Sequence, residues 1–349
     1  QANRNFLNLM YYAPGTLPNA PTIGGSAFAV NGMRGESNNY MLDGMNNNDM
    51  TDNSQAAGVA LLPPEAIQEF RLITNNFNVE YGRNTGGFLN VVMKSGTNEL
   101  HGSGWLFYRG PGPLFRTEDW LTHERPDYSR RQYGATLGGP IKKDKTFFFA
   151  SFEGINQAIK YVRNPFFFTP EALAKAKGAA KLFFDKYKSA YPVPTYDFID
   201  ADGDGVNDYG RANFQYEDTA KTYSGAIKID HIFSEKDRIA FRWLYNYNKF
   251  EDGFGYYWVP GKKLEKPQDY NTGGLSWLHI FSPTMYNEVR VGYHREHWEE
   301  LVQDPDMCAF AFYDEPIGFG DPGYPMYQLN QTFQIVDVLN FQKGNHSIR

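Results

Sequence analysis

From Glu99 onward the chain alternates apolar and polar residues one by one. Ile239, Phe241, Trp243, Tyr245 and Tyr247 share one face of an extended segment. Ala240, Arg242, Asn246 and Asn248 share the other, with Leu244 the single apolar intruder. Tyr223, Ile227 and Ile229 oppose Ser224, Lys228 and Asp230 in the same way, and Val289, Val291 and Tyr293 oppose Glu288, Arg290 and His294. Successive side chains of a strand point to opposite faces, so a two-residue period predicts β-strands. About eight such segments follow one another, at 99–110, 129–141, 146–159, 219–234, 238–250, 270–282, 286–298 and 333–343. Several reach the ~10 residues that a tilted strand needs to cross a bilayer.

The connections sort by length. Lys142 to Lys145, Glu235 to Asp237, Pro283 to Met285 and Lys343 to Asn345 are tight, whereas 111–128, 160–218, 251–269 and 299–332 are long. Short turns at one end and long loops at the other are the pattern of an outer-membrane barrel, with the long loops extracellular. A soluble β-sandwich does not sort its loops this way.

Ahead of Glu99 the rhythm is different. Phe28 to Gly32 and Tyr40 to Gly44 read as short strands closed by Asn-Gly and Asp-Gly turns. Pro63 to Phe70 reads as a helical turn with proline at its start, followed by a strand from Arg71 to Thr74. An apolar run, Phe88 to Met93, then meets the polar turn Lys94-Ser95-Gly96-Thr97-Asn98. These irregular elements predict a separate compact region over residues 1–97, with strands of a barrel over 98–349.

Composition fits that division. Aromatic residues make up 17% of the 349, with 28 Phe and 24 Tyr. Mean hydropathy is nevertheless −0.56, and no run approaches the ~20 apolar residues of a membrane helix. Rings without apolar runs suit transmembrane strands, where alternate residues meet lipid. A Tyr-rich sandwich has the same composition, so the sorted loops carry the choice. A net charge of −6 without a basic patch argues against a nucleic-acid partner. Cys308 is the single cysteine and has no partner for an internal disulfide. The chain opens without a basic then apolar leader and stops at the start of what reads as another strand, so an internal part of a longer protein is expected.

The sharpest local constellation is Asp200-Ala201-Asp202-Gly203-Asp204-Gly205-Val206-Asn207-Asp208. Asp200, Asp202, Asp204 and Asp208, with the Val206 carbonyl, match a calcium loop in ligand type and spacing, and calcium is the candidate cofactor. The position where such a loop carries its bidentate Glu is Arg211, and a solvated acidic turn is the competing reading. Thr169-Pro170-Glu171 predicts a helix running to about Ser189, with Leu173, Ala176, Ala180, Phe184 and Tyr187 as its apolar stripe. His294 and His297 lie on opposite faces of a strand and share no ion. No nucleophile, zinc-protease or phosphate-loop motif is present, so no catalytic mechanism is expected.

Several stretches before Glu99 resemble the plug of TonB-dependent outer-membrane receptors, in their Oar-like branch. They are Asn31-Gly32-Met33-Arg34, Ser37-Asn38-Asn39-Tyr40 and Leu42-Asp43-Gly44, then Ile67-Gln68-Glu69-Phe70 and Glu80-Tyr81-Gly82-Arg83. Gly138 to Ile141 followed by Thr146 to Gly154 is a looser match to the barrel. The resemblance implies a mainly β chain: a mixed α/β plug, then antiparallel transmembrane strands of an incomplete barrel. It implies a Gram-negative outer membrane, TonB as energy-coupling partner, outer-membrane lipid and an unidentified extracellular substrate. Lys228, Asp230, Arg242 and Asn246 would then face the lumen and hold the plug, which closes a lumen otherwise too wide to be a barrier. A calcium-braced surface adhesin without transport and a secreted ligand-binding sandwich remain the alternatives.

Overall fold

The computed structural model describes residues 6–22, 25–34, 37–48, 62–75, 85–110, 127–188, 191–252, 264–302, 310–311, 318–319 and 325–349. Its first part opens with a 3-10 turn, Phe6–Tyr12, and an antiparallel pair, β1 (Thr16–Thr22) and β2 (Gly25–Val30). A four-stranded mixed sheet follows, made of β3 (Asn39–Leu42), β4 (Met45–Asn46), β5 (Ile67–Ile73) and β6 (Phe88–Met93). Its order is β4-β3-β6-β5, with β3 parallel to β6 and the other pairs antiparallel. Asp43 and Gly44 join β3 to β4 with φ of 47° and 74°. Positive φ at both central residues defines the tight hairpin turn that Asp-Gly favours. Phe6, Met10, Val30, Leu42, Leu89 and Val91 fill a shared core beneath these strands.

The second part is one antiparallel wall of nine strands. It contains β7 (His101–Arg109), β8 (Tyr128–Lys142) and β9 (Thr146–Arg163). Between β9 and the next wall strand lie β10 (Phe166–Phe168), α1 (Pro170–Lys175), α2 (Gly178–Tyr187), β11 (Tyr196–Ile199) and β12 (Tyr209–Arg211). The wall resumes with β13 (Phe214–Ile232), β14 (Asp237–Asp252), β15 (Leu264–Ser282) and β16 (Met285–Val302). A two-residue pair, β17 (Phe310–Ala311) and β18 (Gly318–Phe319), precedes β19 (Met326–Lys343) and β20 (His346–Ile348).

β9, β13, β15, β16 and β19 extend well beyond the alternating segments toward the long loops, whereas β7 and β8 stay close to theirs. β9 and β13 stay in register from the Thr146–His231 pair to the Arg163–Phe214 pair. The two faces of β14 differ sharply: Phe241, Trp243 and Tyr245 are about 40% exposed, whereas Arg242, Leu244 and Asn246 are at most 4% exposed. Leu244, the apolar intruder in the polar row, joins the same core cluster as Leu89, Val91 and Met93, together with Phe149 and Ala226 of the wall. The first part therefore packs on the inward face of the wall.

The region between β9 and β13 builds its own small domain. β10, β12 and β11 form a three-stranded sheet in that order. Phe167, Phe184, Tyr191, Tyr209 and Ala212 make a core separate from the main one. Phe167–Tyr191, Phe168–Phe184 and Phe184–Tyr191 meet edge to face at centroid distances of 5.4, 5.7 and 5.5 Å. The single helix expected from Thr169 to Ser189 is two helices. Ala176 turns extended with ψ of 139° and Gly178 has φ of +59°, so the chain bends and folds Leu173, Ala176 and Ala180 onto the aromatic core. Thr169 caps α1 as its sequence suggests, its hydroxyl accepting from the Ala172 N–H at 3.1 Å.

Candidate functional site

The Asp43-Gly44 turn sits where the inner sheet meets the wall, and the residues around it are the candidate site. Asp43 is fixed first from its own side. Its N–H donates to the Val91 carbonyl at 2.8 Å, and its Oδ1 accepts from the Met93 N–H at 2.9 Å. The next residue, Gly44, donates its N–H to Asn90 Oδ1 at 3.1 Å. The turn is thus stitched to the end of β6.

Two cations of the wall meet the same carboxylate. Arg242 Nη1 lies 3.4 Å from Asp43 Oδ2, and Lys228 Nζ lies 3.9 Å from Oδ1 while donating to the Met93 carbonyl at 3.1 Å. The Arg242 side chain is only 5% exposed, so this charge has left water and depends on its partner. Asp230 lies near Lys228 and Ser95, and Asn246 donates to the Ser224 hydroxyl at 2.7 Å. The four wall residues singled out from the sequence therefore share the inward face, but only Lys228 and Arg242 reach Asp43. Asn246 is engaged within the wall.

Three features had no signal in the sequence. Met45, just after the turn, fits a hollow made by Gly274 and Gly292, which pair across β15 and β16. A Cβ on Gly292 would lie 1.7 Å from Met45 Cε, and one on Gly274 would lie 3.1 Å from its sulfur. Gly44 itself lies against Arg290, whose Nη1 is 2.9 Å from where a Cβ would be. Asn46 N–H donates to Gln334 Oε1 at 2.8 Å, tying the turn to β19. Only the folded chain brings these residues together.

A cavity of about 450 Å³ opens beside the turn, between the inner sheet and the wall. Asp43, Arg71, Asn90, Lys228, Arg290 and Gln334 contribute polar groups to its lining. The inner sheet thus rests on the wall through a shared apolar cluster, one ion cluster, a methionine knob, scattered hydrogen bonds and open space.

Of the remaining motif residues, Asn31, Gly32 and Asn39 hold the first part of the chain together. Asn31 and Gly32 form a turn at φ of 52° and 75°, and Asn31 donates to the Thr74 carbonyl at 2.6 Å. Asn39 accepts from Asn48 at 3.0 Å. Arg34 and Glu69 are exposed, and Glu80, Tyr81, Gly82 and Arg83 lie outside the described residues. Tyr40 is buried against Asn38, and that burial pushes its hydroxyl up to about 12. Asn38 itself donates to the Phe28 carbonyl and accepts from the Gly87 N–H at 2.6 and 2.7 Å.

In the small domain, Asp200, Asp202 and Asp208 bring one carboxylate oxygen each within 4.8 Å of one another. Asp204 departs from the expected set of four. Lys175 of α1 takes its Oδ2 at 2.5 Å and holds its carboxyl below the usual range, while its Oδ1 accepts from Val206 N–H. Asp200 accepts from Gly203 and Gly205 N–H, each at 2.8 Å. Three hard oxygen donors on a turn braced by backbone N–H groups fit a calcium-type ion chemically.

Comparison with known proteins agrees with this architecture. The family model described as TonB-dependent Receptor Plug Domain matches residues 1–88, and that described as Outer membrane beta barrel domain matches residues 92–349. The TonB-dependent transporter Oar of Myxococcus xanthus is 35% identical over 158 residues, which are 43% of this chain and 14% of Oar. The outer membrane transporter YddB of Escherichia coli superposes with a TM-score of 0.62 at 14% identity, covering 99% of this chain and 44% of YddB. The siderophore receptor PirA of Acinetobacter baumannii also gives 0.62 at 14% identity, covering 97% of this chain and 43% of PirA. The chain spans less than half the length of each of these proteins.

Proposed function

The chain belongs to the TonB-dependent receptors of the Gram-negative outer membrane, a family of transport proteins rather than enzymes, and on that footing we propose that it supplies the plug and part of the barrel of an active importer. In this reading residues 1–97 are the plug and 98–349 are wall. TonB supplies the energy, and an unidentified substrate enters from the side of the long loops.

The observation that carries the proposal is the character of the plug–wall seam. A plug meant only to seal would bury a continuous apolar interface. Here the apolar contact of Leu89, Val91 and Met93 with Phe149, Ala226 and Leu244 gives way, at the Asp43 turn, to contacts with Lys228, Arg242 and Gln334 beside a cavity of mixed lining. The Arg242–Asp43 pair is costly to break while both groups stay buried, but polar groups that shift into the adjoining cavity exchange their partners for water, which apolar contacts cannot do. A seam of this kind suits a plug that must shift when pulled.

The test is uptake. Cells carrying or lacking the full-length gene, each with and without TonB, are grown in one defined medium and solute depletion is followed by mass spectrometry. A solute removed only when both the receptor and TonB are present is the expected result. If every depletion is indifferent to TonB, the transport reading fails.

A second reading, a calcium-braced surface adhesin or structural barrel without transport, draws on the small domain between β9 and β13 and its three convergent aspartates. We assign calcium to Asp200, Asp202 and Asp208 under either reading, with Asp204 held aside by Lys175.

A further inference from the structure

We infer that the outward face of the wall carries a seat for the phosphates of an outer-leaflet lipid headgroup, built from Arg131 and Lys221. Strand registers place them in one row: Arg131 pairs with Asn156, Asn156 with Lys221, and Lys221 with Lys249. Two residues nearer the short turns, on the same face, comes an aromatic row of Tyr133, Tyr223 and Tyr247, in which Tyr223 and Tyr247 stack at 6.4 Å.

Depth follows from strand geometry. Along β13 and the turn after it, Tyr223, Ile227, Ile229 and Phe233 face outward. The ten residue steps from Tyr223 to Phe233, at ~3.3 Å each and tilted ~40°, rise about 25 Å, the height of the apolar band of an outer-membrane barrel. The tyrosines therefore stand at the outer interface, where aromatic girdles lie, and the cationic row stands immediately above them.

Charge pairing separates these two cations from their neighbours. Lys249 is bridged to Glu251 and Glu265 at 3.2 and 2.9 Å. Lys160 faces Asp127 at 3.9 Å. Arg295 and His297 share Asp269 at 2.5 and 3.0 Å. Among the described residues Arg131 and Lys221 are exposed and have neither an ion pair nor a hydrogen bond. The outward carboxylates of Glu251 and Glu217 lie one and two rows farther from the membrane, level with Thr219 and Lys160.

An Arg fork and a Lys ammonium beside it suit phosphate oxygens, the first by paired hydrogen bonds and the second as a point charge. The seat has no enclosing walls, so a free phosphate would gain little there. A headgroup already held at this depth by its acyl chains needs only the two cations. The inference depends on the chain's place in the outer membrane and is independent of transport.

The test uses full-length protein purified from outer membranes in mild detergent, with native mass spectrometry counting bound bisphosphorylated lipid A. Variants Arg131→Gln, Lys221→Gln and the double variant are compared with Lys236→Gln at the opposite, short-turn end. Heat-modifiable migration checks that each barrel is folded. Affinity should fall roughly fivefold for each cation removed from the row, with no change for Lys236→Gln. Monophosphoryl lipid A should bind more weakly than the bisphosphorylated form, and millimolar inorganic phosphate should not compete. Equal lipid A binding by the folded double variant and the unaltered protein would overturn the assignment. So would a loss in Lys236→Gln as large as in Lys221→Gln, or full competition by inorganic phosphate.

Discussion

Met45 of the plug and Gly292 of the wall approach so closely that any side chain on the wall at that point would meet the methionine methyl. The contact acts as a size gauge. Because the obstructing atom is the tip of a flexible methionine, Gly292→Ala should be absorbed by a change of rotamer. Gly292→Leu should displace the Asp43 turn and cost about 1–3 kcal/mol, as overpacking does. Met45→Ala in the Gly292→Leu background should recover part of that loss. Thermal unfolding of the four proteins measures the coupling, and simple additivity would mean the two residues do not touch.

Asp43→Asn should destabilise the plug–wall seam more than its single ion pairs suggest. The change leaves the buried Arg242 without its counter-charge, a situation that typically costs about 3–5 kcal/mol. Replacing Arg242 by Gln in the same molecule should restore much of the stability. Denaturant midpoints for the single and double variants decide this, and an unchanged midpoint in Asp43→Asn removes Asp43 from its role.

Trp243 faces outward near the middle of β14. Trp243→Arg should cost ~2–4 kcal/mol in a bilayer folding assay. Asn246→Ser on the inward face loses one buried hydrogen bond to Ser224 and should cost about 1 kcal/mol. Equal penalties would mean that the two faces are wrongly assigned.

Tyr40 gives the plug an alkaline limit. Its folded value of about 12 lies above the ordinary 10.0 because burial penalises the phenolate. The raised value means the neutral form stabilises the fold. That contribution is complete below pH 10 and is lost as pH rises toward 12. The two-unit span amounts to about 2–3 kcal/mol. Melting curves between pH 9 and 12 should fall more steeply for the unaltered protein than for Tyr40→Phe, and parallel curves would refute the assignment.

Calcium in the millimolar range should protect residues 163–214 from limited proteolysis. Asp200→Asn should abolish the protection. Asp204→Asn should weaken it only slightly, because Lys175 already holds that carboxylate apart. Cleavage patterns indifferent to calcium would reduce the acidic run to a solvated turn.

The wall was the most legible part of the chain, because alternation is a local property and each strand writes it independently. Strand ends were less legible: above the girdle the outward row leaves the lipid, and the alternation that marks a lipid-facing row fades. Leu244 looked like an error in an otherwise polar row until the plug core closed over it. Asp43 stood out as part of a motif, yet its link to Arg242 spans 199 residues and only folding reveals it. Met45 and the paired glycines carried no signal, since a hollow is an absence of side chains. The bend at Ala176 was likewise hidden, because the helical stripe continues through it.

The small domain between β9 and β13 closes its own aromatic core, and its two stems, Arg163 and Phe214, are direct cross-strand partners. Seen from the wall, everything between them is equivalent to a hairpin turn whose ends lie about 5 Å apart. The insert is therefore a cassette. Any folded piece with adjacent termini satisfies the same boundary condition, so this stretch can be exchanged or lengthened while the wall beneath it keeps its register.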